Sequence, residues 1–234
     1  GLMQTGIISD LTGIEAFTSL TELRCGEGNP LVNIDVSQNI ALTSLICWVN
    51  QLTSLDVSQN TALTYLRCDD NQLTSLDVSN NTLLTRLDCY RNQLTSLDLS
   101  QNTYLTDLYC WENQLTSLDL SSNTNLNLVG CDDNQISSFN FNSVLSVLNI
   151  SNNLLTNLDL SQNIGLTVLN CTNNQLTSLD LRNGNNSILN AFLCAGNSNL
   201  SCINVDNSQY SLMNWTGASF LFDPQHYFSN NCPP

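Results

Sequence analysis

Apolar residues recur along most of the chain with a period of about 21 residues, and each period contains two short apolar groups. The copy that begins at Leu63 reads L-x-x-L-x-C in its first half and L-x-x-L-x-V in its second half. A fixed period of this size indicates a solenoid, in which each repeat forms one coil that stacks on the next. The coils begin at Leu20, Leu42, Leu63, Leu84, Leu105, Leu126, Leu145, Leu166 and Leu189.

The first half of each coil has the alternation of a β-strand. Leu66 and Cys68 lie two residues apart and therefore point to the same side, whereas Tyr65, Arg67 and Asp69 point to the other side. Stacked coils would place these strands in a parallel sheet, about 4.8 Å apart. The outward positions of this sheet differ from coil to coil, and we call this face the variable wall.

The second half of each coil hardly changes between copies. Its typical sequence, LTSLDVSQN, is rich in Thr, Ser, Asp and Asn and poor in helix-forming residues. It predicts a second, strand-like wall, and hence a solenoid with low curvature and little helix. Asparagines such as Asn71 and Asn81 sit where the backbone turns inward. We expect their amides to bind backbone groups of the neighbouring coil that would otherwise be buried without a partner.

The motif L-x-x-L-x-C-x-x-N-x-L resembles the leucine-rich repeat, with cysteine at the third leucine position. The 21-residue length and the nested second motif are similar to a bacterial subclass of these repeats, and Gly6–Leu23 resembles the longer repeats of internalin-like proteins. The resemblance covers residues 6–200. It implies a right-handed solenoid and a binding role, and it implies no catalytic chemistry.

The repeat divides the chain into three parts. Residues 1–19 are expected to form a partial repeat without a signal peptide, residues 20–200 a solenoid of about nine coils, and residues 201–234 a C-terminal cap. The coil Leu126–Val144 is short, and we expect the rings of two phenylalanines, Phe139 and Phe141, to fill the gap; a hinge is the alternative. The cap resembles the segments that close bacterial repeats between two cysteines, which implies a disulfide between Cys202 and Cys232.

Composition limits the partners that such a solenoid can have. The 234-residue chain has no lysine and a net charge of −15, so we expect neither nucleic acid nor an anionic membrane as a partner. No apolar run approaches the roughly 20 residues that span a bilayer.

Few residues could support catalysis or bind a metal. The single histidine, His226, lies in the cap, and no Ser-His-Asp or Cys-His arrangement can be assembled from residues that meet in this fold. We therefore expect neither an enzyme nor a cofactor. The inward cysteines are spaced one per coil, without the short pairs of zinc sites, so we expect reduced, buried core residues. They are Cys25, Cys47, Cys68, Cys89, Cys110, Cys131, Cys171 and Cys194.

Two polar ladders follow the second half of the coils. The acidic ladder consists of Asp35, Asp56, Asp77, Asp98, Asp119, Asp159 and Asp180. Because like charges at this spacing repel, we expect compensating hydrogen bonds from nearby serine, threonine or backbone groups; bound calcium is the alternative. A threonine ladder, which includes Thr53, Thr74 and Thr95, is expected to reflect strand preference on an exposed wall; a flat array of the kind found in ice-binding solenoids is the alternative.

The variable wall carries the candidate binding residues. It holds four of the five arginines and two of the three tryptophans, and Trp, Tyr and Arg are enriched at binding hot spots. As exposed strand positions, they are expected to tolerate alanine with little loss of stability. The candidates are Trp48, Tyr65, Arg67, Asp69, Arg86, Asp88, Tyr90, Arg91, Asp107, Tyr109, Trp111 and Glu112.

The alternative is that these side chains only stabilise the sheet through cross-strand ion pairs. The pairs would then be Arg67 with Asp88, Arg86 with Asp107, and Arg91 with Glu112.

The whole pattern predicts an extracellular or cell-surface module that binds a protein partner through the variable wall. A carbohydrate-binding or adhesion module is the alternative, with Trp48, Tyr90, Tyr109 and Trp111 as stacking platforms for a surface glycan. A glycan array would discriminate between the two.

Overall fold

The computed structural model describes residues 7–141 and 145–233. Short strands dominate the described residues, with one α-helix and two turns of 3-10 helix at Ile14–Ala16 and Asn186–Ile188, so the expectation of little helix is confirmed. The helix α1 spans Ser208–Asn214. In chain order the strands are β1 (Glu22–Arg24), β2 (Ser44–Ile46), β3 (Tyr65–Arg67), β4 (Arg86–Asp88), β5 (Asp107–Tyr109), β6 (Ser117–Leu120), β7 (Leu128–Gly130), β8 (Ser138–Phe141), β9 (Val147–Asn149), β10 (Asn157–Asp159), β11 (Val168–Asn170), β12 (Ser178–Asp180), β13 (Ala191–Leu193), β14 (Cys202–Asn204), β15 (Phe220–Leu221) and β16 (Tyr227–Ser229).

Ten strands form one parallel sheet in the order β1-β2-β3-β4-β5-β7-β9-β11-β13-β15. Each strand pairs with its counterpart one coil later, so that Tyr65 lies opposite Arg86 and Leu66 opposite Leu87. Both leucines are fully buried, whereas Tyr65 and Arg67 are half-buried on the outer face. This sheet is the predicted variable wall, and its parallel pairing and alternation are confirmed.

The second wall is a β-sheet over only part of its length. The strands β6 and β8 form one pair, and β10, β12, β14 and β16 form a four-stranded parallel sheet. The equivalent segments of the coils before Ser117 belong to no sheet. The second strand-like wall is therefore present from β6 onward, and the earlier coils run without β-pairing on that side.

Columns of leucine fill the interior between the two walls. In the coil that begins at Leu63, the side chains of Leu63, Leu66, Cys68, Leu73 and Val78 are fully buried. Burial of an apolar side chain of this size stabilises the fold by roughly 1.5–3 kcal/mol. The buried residues form one continuous cluster along the solenoid, so the stability of each coil depends on its neighbours.

Asparagine amides connect the backbones of neighbouring coils. The Nδ2 group of Asn71 donates to the carbonyl oxygens of Cys47, Cys68 and Asp69, and its Oδ1 atom accepts from the backbone N–H of Leu52. Cys47 and Leu52 belong to the preceding coil, so the predicted bridging role is confirmed.

A second asparagine ladder occupies the other turn of the coil. The Nδ2 group of Asn81 donates to the carbonyl oxygens of Val57 and Asn60 at 3.0 and 2.9 Å. Both acceptors belong to the preceding coil. The two ladders therefore tie each coil to its neighbour at both of its turns.

The short coil keeps the register of the variable wall, whereas the second wall is interrupted there, since β8 does not pair with β10. Leu128 of β7 lies opposite Val147 of β9, as in the regular coils. The rings of Phe139 and Phe141 lie 5.0 Å apart and pack against the core opposite the leucines of β6. Both rings are partly buried, and their packing against the core agrees with the expectation that they compensate for the missing residues. Residues 142–144 lie outside the described part of the chain.

The two ends of the solenoid are closed differently. At the N-terminal end, Ile14 of the 3-10 turn packs against the core; residues 1–6 of the predicted partial repeat lie outside the described residues. At the C-terminal end, β15 and β16 extend the variable wall and the second wall by one strand each. Trp215 is buried beneath this segment, and a disulfide joins Cys202 to Cys232 as predicted.

Candidate functional site

The variable wall presents three outward columns of side chains and a rim where the chain leaves the sheet. In the coil of β3 the columns hold Tyr65, Arg67 and Asp69, and the rim residue is Asp70. Because the strands are in register, each of these residues lies beside its counterpart in the next coil. All the predicted binding residues lie in these columns or on the rim, and all of them except Asp107 form three clusters.

Trp48, Arg67 and Asp69 form the first cluster. The guanidinium carbon of Arg67 lies 4.3 Å from the centroid of the Trp48 ring, and its Nε atom lies 2.9 Å from Oδ1 of Asp69. Its Nη2 atom lies 3.3 Å from the hydroxyl oxygen of Tyr90. The hydrogen bond to Asp69 raises the pKa of Arg67 above its already high value, so this cation is held firmly between a ring and a carboxylate.

Arg86 organises the second cluster. Its Nε and Nη2 atoms each lie 3.0 Å from an oxygen of Asp88, and the Tyr65 hydroxyl donates to the same carboxylate at 2.9 Å. The guanidinium carbon lies 4.9 Å from the ring centroid of Tyr109. Burial and the charge of Asp88 raise the pKa of Tyr65 to about 12, so its hydroxyl remains a hydrogen-bond donor.

Tyr90 and Trp111 form the third cluster. Their rings are stacked, with centroids 4.1 Å apart and planes 10° from parallel. The guanidinium carbon of Arg91 lies 4.7 Å from the Trp111 ring centroid, and its Nε atom lies 3.2 Å from Oε2 of Glu112. Nη1 of Arg91 also lies 3.7 Å from Oδ1 of Asp70. The predicted ion pair between Arg91 and Glu112 is therefore confirmed.

The other two predicted cross-strand ion pairs are wrong. Arg67 binds Asp69 rather than Asp88, and Arg86 binds Asp88 rather than Asp107. Each arginine turns along its own chain to the carboxylate two residues later, because residues two apart share one face of a strand. The guanidinium group of Arg67 then covers Trp48 of the preceding coil, and that of Arg86 lies near Tyr65 of the preceding coil and Tyr109 of the following coil.

Two candidate carboxylates are buried, although the wall faces solvent. The side chains of Asp69 and Asp88 are 0% and 2% exposed, so the expectation that they are exposed positions is wrong. Neighbouring rings and guanidinium groups cover them. A buried carboxylate must be paired, and these two therefore support the wall from within. The surface open to a partner consists mainly of aromatic and arginine side chains.

The rim has a left-handed backbone that sequence reasoning missed. Val49, Asp70, Arg91 and Glu112 have φ values of 50°, 51°, 49° and 47°. Left-handed φ is uncommon outside glycine and is a true outlier for a β-branched residue such as Val49. The rim N–H groups bind carbonyl oxygens of the next coil, which holds them in this conformation. The available signals in the sequence were Gly196, Asn152 and Asn173, which occupy the equivalent rim position in later coils with φ values of 78°, 53° and 53°.

Two glycines lie in the outward columns for different reasons. A Cβ atom at Gly26 would lie 2.4 Å from the Trp48 ring, so only glycine allows Trp48 to pack there. A Cβ atom at Gly130 would lie 3.5 Å from Tyr109 and 3.7 Å from Trp111, which are ordinary contacts. Packing therefore requires glycine at position 26 and does not require it at position 130.

The wall is acidic beyond Trp111. Asp132 is half-buried, and the ion pairs of the described residues do not include it. Burial, together with the charges of Asp133 and Glu112, raises the pKa of Asp132 to about 6. Asp107, also outside these ion pairs, accepts a hydrogen bond from the Thr106 hydroxyl at 2.7 Å. This end of the wall therefore carries negative charge that no arginine of the wall neutralises.

The acidic ladder of the second wall is compensated locally. Oδ1 of Asp56 accepts from the backbone N–H of Ser58 at 2.9 Å, and the same bond recurs at the other coils. These bonds lower the pKa of five ladder carboxylates, Asp35, Asp56, Asp77, Asp98 and Asp119, in agreement with the first interpretation. Over residues 7–141 and 145–233, no group of three or more His, Cys, Asp or Glu side chains is placed to hold a metal ion.

The repeat cysteines and the histidine are packing residues. All eight repeat cysteines are free and buried, as predicted, and burial raises the pKa of thiols such as those of Cys68 and Cys89 well above the usual value. Their thiolate forms are therefore suppressed. His226 lies in the cap between the rings of Phe222 and Phe228. None of the described helices is long and apolar enough to cross a membrane.

Comparison with known proteins identifies the fold. No protein-family model and no curated protein matches the sequence. Among solved structures, the LRR protein LIC12759 from Leptospira interrogans is 24% identical, with a TM-score of 0.63 over 69% of this chain and 45% of that one. The chain has the leucine-rich-repeat fold. An internalin, InlF from Listeria monocytogenes, is 21% identical, with a TM-score of 0.55 over 97% of this chain and 59% of that one.

A third match is an internalin domain that contains a cysteine ladder. The functional domain of InlJ from Listeria monocytogenes, which includes a cysteine ladder, is 33% identical, with a TM-score of 0.54 over 94% of this chain and 60% of that one. These matches support the resemblance to bacterial leucine-rich-repeat proteins; the 21-residue subclass with cysteine at the third leucine position stays a prediction. The chain spans about half to three fifths of the length of these structures.

Proposed function

We propose that this leucine-rich-repeat solenoid is a protein-interaction module that binds its partner through the variable wall. The proposal rests on the observation that sequence differences between coils are concentrated on the variable wall. The second half of the coil is nearly constant, while the outward columns change and collect Trp, Tyr and Arg. Those residue types dominate the energetics of protein interfaces. The leucine-rich-repeat neighbours agree with an interaction role and give no reason to expect catalysis.

The candidate side chains are also held in place before any partner binds. Arg67, Arg86 and Arg91 each contact both a carboxylate and an aromatic ring of the wall. Ordering a flexible side chain on binding costs about 0.5–1.5 kcal/mol, so side chains that are ordered in advance bind with a smaller entropic loss. The internal contacts therefore support the fold and prepare a contact surface at the same time.

The same contacts favour a protein partner over a glycan. A sugar ring stacks on a free aromatic face, and the four rings considered as platforms are already in contact with wall residues. Arg67 lies over Trp48, Arg86 lies over Tyr109, and Tyr90 stacks on Trp111. Fewer open faces remain than the sequence indicated.

We also place the protein outside the cell or on its surface. The disulfide between Cys202 and Cys232 is the kind of bond that persists in oxidising compartments. The internalin structures among the matches agree with this location.

Affinity capture with matched variants tests the proposal. The purified domain, Trp111→Ala and Tyr104→Ala would be used as baits against extracellular and surface proteins. Tyr104 is 58% exposed and lies outside the sheet of the variable wall, so its variant controls for loss of an exposed ring. We expect proteins captured by the wild type to be lost with Trp111→Ala and kept with Tyr104→Ala. Equal capture by all three baits would show that the wall is not the binding surface. Binding on a glycan array that disappears in Trp111→Ala would support the carbohydrate alternative.

A further inference from the structure

One arrangement of three positions occurs twice on the variable wall, three coils apart. The first copy consists of Trp48, Arg67 and Asp69, and the second places Trp111, Gly130 and Asp132 at the equivalent positions. In both copies the tryptophan belongs to one coil and the other two residues to the next coil. The two copies differ only at the middle position, where glycine replaces arginine.

The first copy shows what the arrangement holds. The Arg67 guanidinium lies over the Trp48 ring, with its carbon 4.3 Å from the ring centroid, and its Nε atom lies 2.9 Å from Asp69. The ring supplies an electron-rich face and the carboxylate supplies the opposite charge. Together they form a receptor for one guanidinium group.

The second copy keeps the ring and the carboxylate. The stacked Tyr90 and the nearby Arg91 both approach the Trp111 ring from the preceding coil, whereas Asp132 belongs to the following coil. Trp111 and Asp132 are both half-buried and reachable from solvent. No ion pair within the described part of the chain involves Asp132. Its partial burial raises its pKa to about 6, as expected of a carboxylate that loses water without gaining a cation.

Packing does not explain the glycine at position 130. A Cβ atom there would lie 3.7 Å from Trp111 and 4.0 Å from Oδ1 of Asp132, and the backbone is not left-handed. Gly26 shows the opposite case, in which a Cβ atom would collide with the Trp48 ring. The chain therefore lacks a side chain at the one place where the first copy supplies its own cation.

We propose that Trp111, Gly130 and Asp132 form a receptor site for the guanidinium group of an arginine that a protein partner presents. This inference rests on the proposed function of the variable wall and assigns a chemistry to the partner. Arginine fits better than lysine because its planar group stacks on a ring while it donates two hydrogen bonds to one carboxylate. The carboxylates of Asp107 and Asp133, which take part in none of the ion pairs of the described residues, add attraction for a basic surface beside the site.

Titration by nuclear magnetic resonance with a small probe tests the site directly. The probe is capped Gly-Arg-Gly, compared with its lysine and citrulline counterparts, and the readouts are the Trp111 indole N–H and the Gly130 amide signals. We expect saturable shifts of both signals with the arginine probe, weaker shifts with lysine and none with citrulline. Asp132→Asn should weaken the arginine response by about tenfold or more, because charge-assisted bonds are the strong ones. Asp133→Asn removes the same charge from a neighbouring exposed position and should weaken the response much less than Asp132→Asn does.

A second variant fills the site from within. Gly130→Arg should restore the arrangement of the first copy, raise the melting temperature and remove the response to the arginine probe. Equal losses with Asp132→Asn and Asp133→Asn, or equal shifts with arginine and citrulline, would overturn the inference. So would an unchanged probe response in a folded Gly130→Arg variant.

These results separate the inference from the proposed function. If a captured partner is lost with Trp111→Ala but still binds Gly130→Arg and Asp132→Asn, the wall is the interface and the arginine site is wrong. If the probe binds as expected while the captured partner ignores Trp111→Ala, the proposed function fails instead.

Discussion

At the scale of single residues, the variable wall depends on arginines that cover buried carboxylates. Arg86 binds Asp88, whose side chain is 2% exposed, whereas Arg24 binds Glu22 in an ion pair that is largely exposed on both sides. Arg86→Ala should therefore lower the free energy of unfolding by about 1–3 kcal/mol, because Asp88 would remain buried without its cation. Arg24→Ala, the matched control, should cost less than about 0.5 kcal/mol. Urea denaturation measures both, and equal costs would show that Asp88 is not held as described.

A second residue-scale prediction concerns Asp132. Its pKa is raised to about 6 in the folded protein from 3.8, so the folded state disfavours the charged carboxylate. Below the unfolded pKa of 3.8 the carboxyl group is protonated in both states and does not destabilise the fold. As the pH rises through the folded pKa of about 6, the free energy of unfolding falls, because the unfolded state loses this proton more readily. Asp132→Asn should therefore stabilise the protein at neutral pH, by about 1 kcal/mol after allowance for solvent screening. Below pH 3.8, where the wild-type carboxyl group is protonated in both states, the substitution should have no effect.

The measurement is thermal unfolding of the wild type and of Asp132→Asn, from below pH 3.8 to above pH 6. Asp133→Asn serves as the exposed comparison; because the charge of Asp133 contributes to the raised pKa of Asp132, it should stabilise the protein at neutral pH, but less than Asp132→Asn does. A stabilisation by Asp132→Asn that does not grow with pH would contradict the assigned burial of this carboxylate.

The residue scale is also where the sequence was least informative. The alternation around Leu66 places Arg67 and Asp69 on the outer face, but it does not indicate which carboxylate each arginine selects. That choice depends on side-chain length and on rings in adjacent coils, so Arg67 binds Asp69 rather than Asp88. The burial of Asp69 follows from the same contacts and has no signature in the pattern of apolar residues.

At the scale of elements, each coil depends on its asparagine. The Nδ2 group of Asn92 donates to the carbonyl oxygens of Cys68, Cys89 and Tyr90, and its Oδ1 atom accepts from the N–H of Leu73. Asn92→Ala should lower the free energy of unfolding by about 1–3 kcal/mol, because these groups would be buried without partners.

The matched control for Asn92→Ala is Asn80→Ala. Asn80 is exposed and makes one bond of 3.3 Å to the carbonyl oxygen of Ser58, so its loss should cost no more than about 0.5 kcal/mol. Amide hydrogen exchange in Asn92→Ala should also increase in both coils that the asparagine joins. Loss confined to one coil would argue against a bridging role.

Elements that follow from a period were predictable from the sequence. The spacing of Leu63, Leu66 and Cys68 was enough to predict a parallel sheet and its register. The second wall was harder, because its segments are nearly identical in sequence and yet pair as strands only from β6 onward. The left-handed rim was not predictable, since Val49 adopts it against its own preference under the constraint of bonds to the next coil.

At the scale of the whole molecule, two classes of cysteine report on the packing. Eight cysteines are free and buried, and two form a disulfide across the cap. We expect no thiol to react with a sulfhydryl reagent in the native state, eight to react after denaturation, and ten after denaturation with reduction. Fast native reaction of a repeat cysteine would show that the coils open easily.

The disulfide itself closes the C-terminal end of the solenoid. Cys202 and Cys232 are 30 residues apart in sequence, and a bridge over such a loop is worth roughly 3–4 kcal/mol in the chain-entropy model. Replacing both cysteines by serine should therefore destabilise the cap, with faster hydrogen exchange in β15 and β16 before exchange increases elsewhere. Uniform loss of protection along the solenoid would contradict a local role.

The most direct test of the central claim is hydroxyl-radical footprinting of the domain with a protein that it captures. Oxidation of aromatic side chains reports which of them a partner covers. We expect the partner to protect Tyr109 and Trp111 on the variable wall. Tyr104 and Tyr227, which are 58% and 49% exposed, should remain unprotected. Protection of Tyr104 or Tyr227 with no change at Tyr109 and Trp111 would contradict binding through the variable wall.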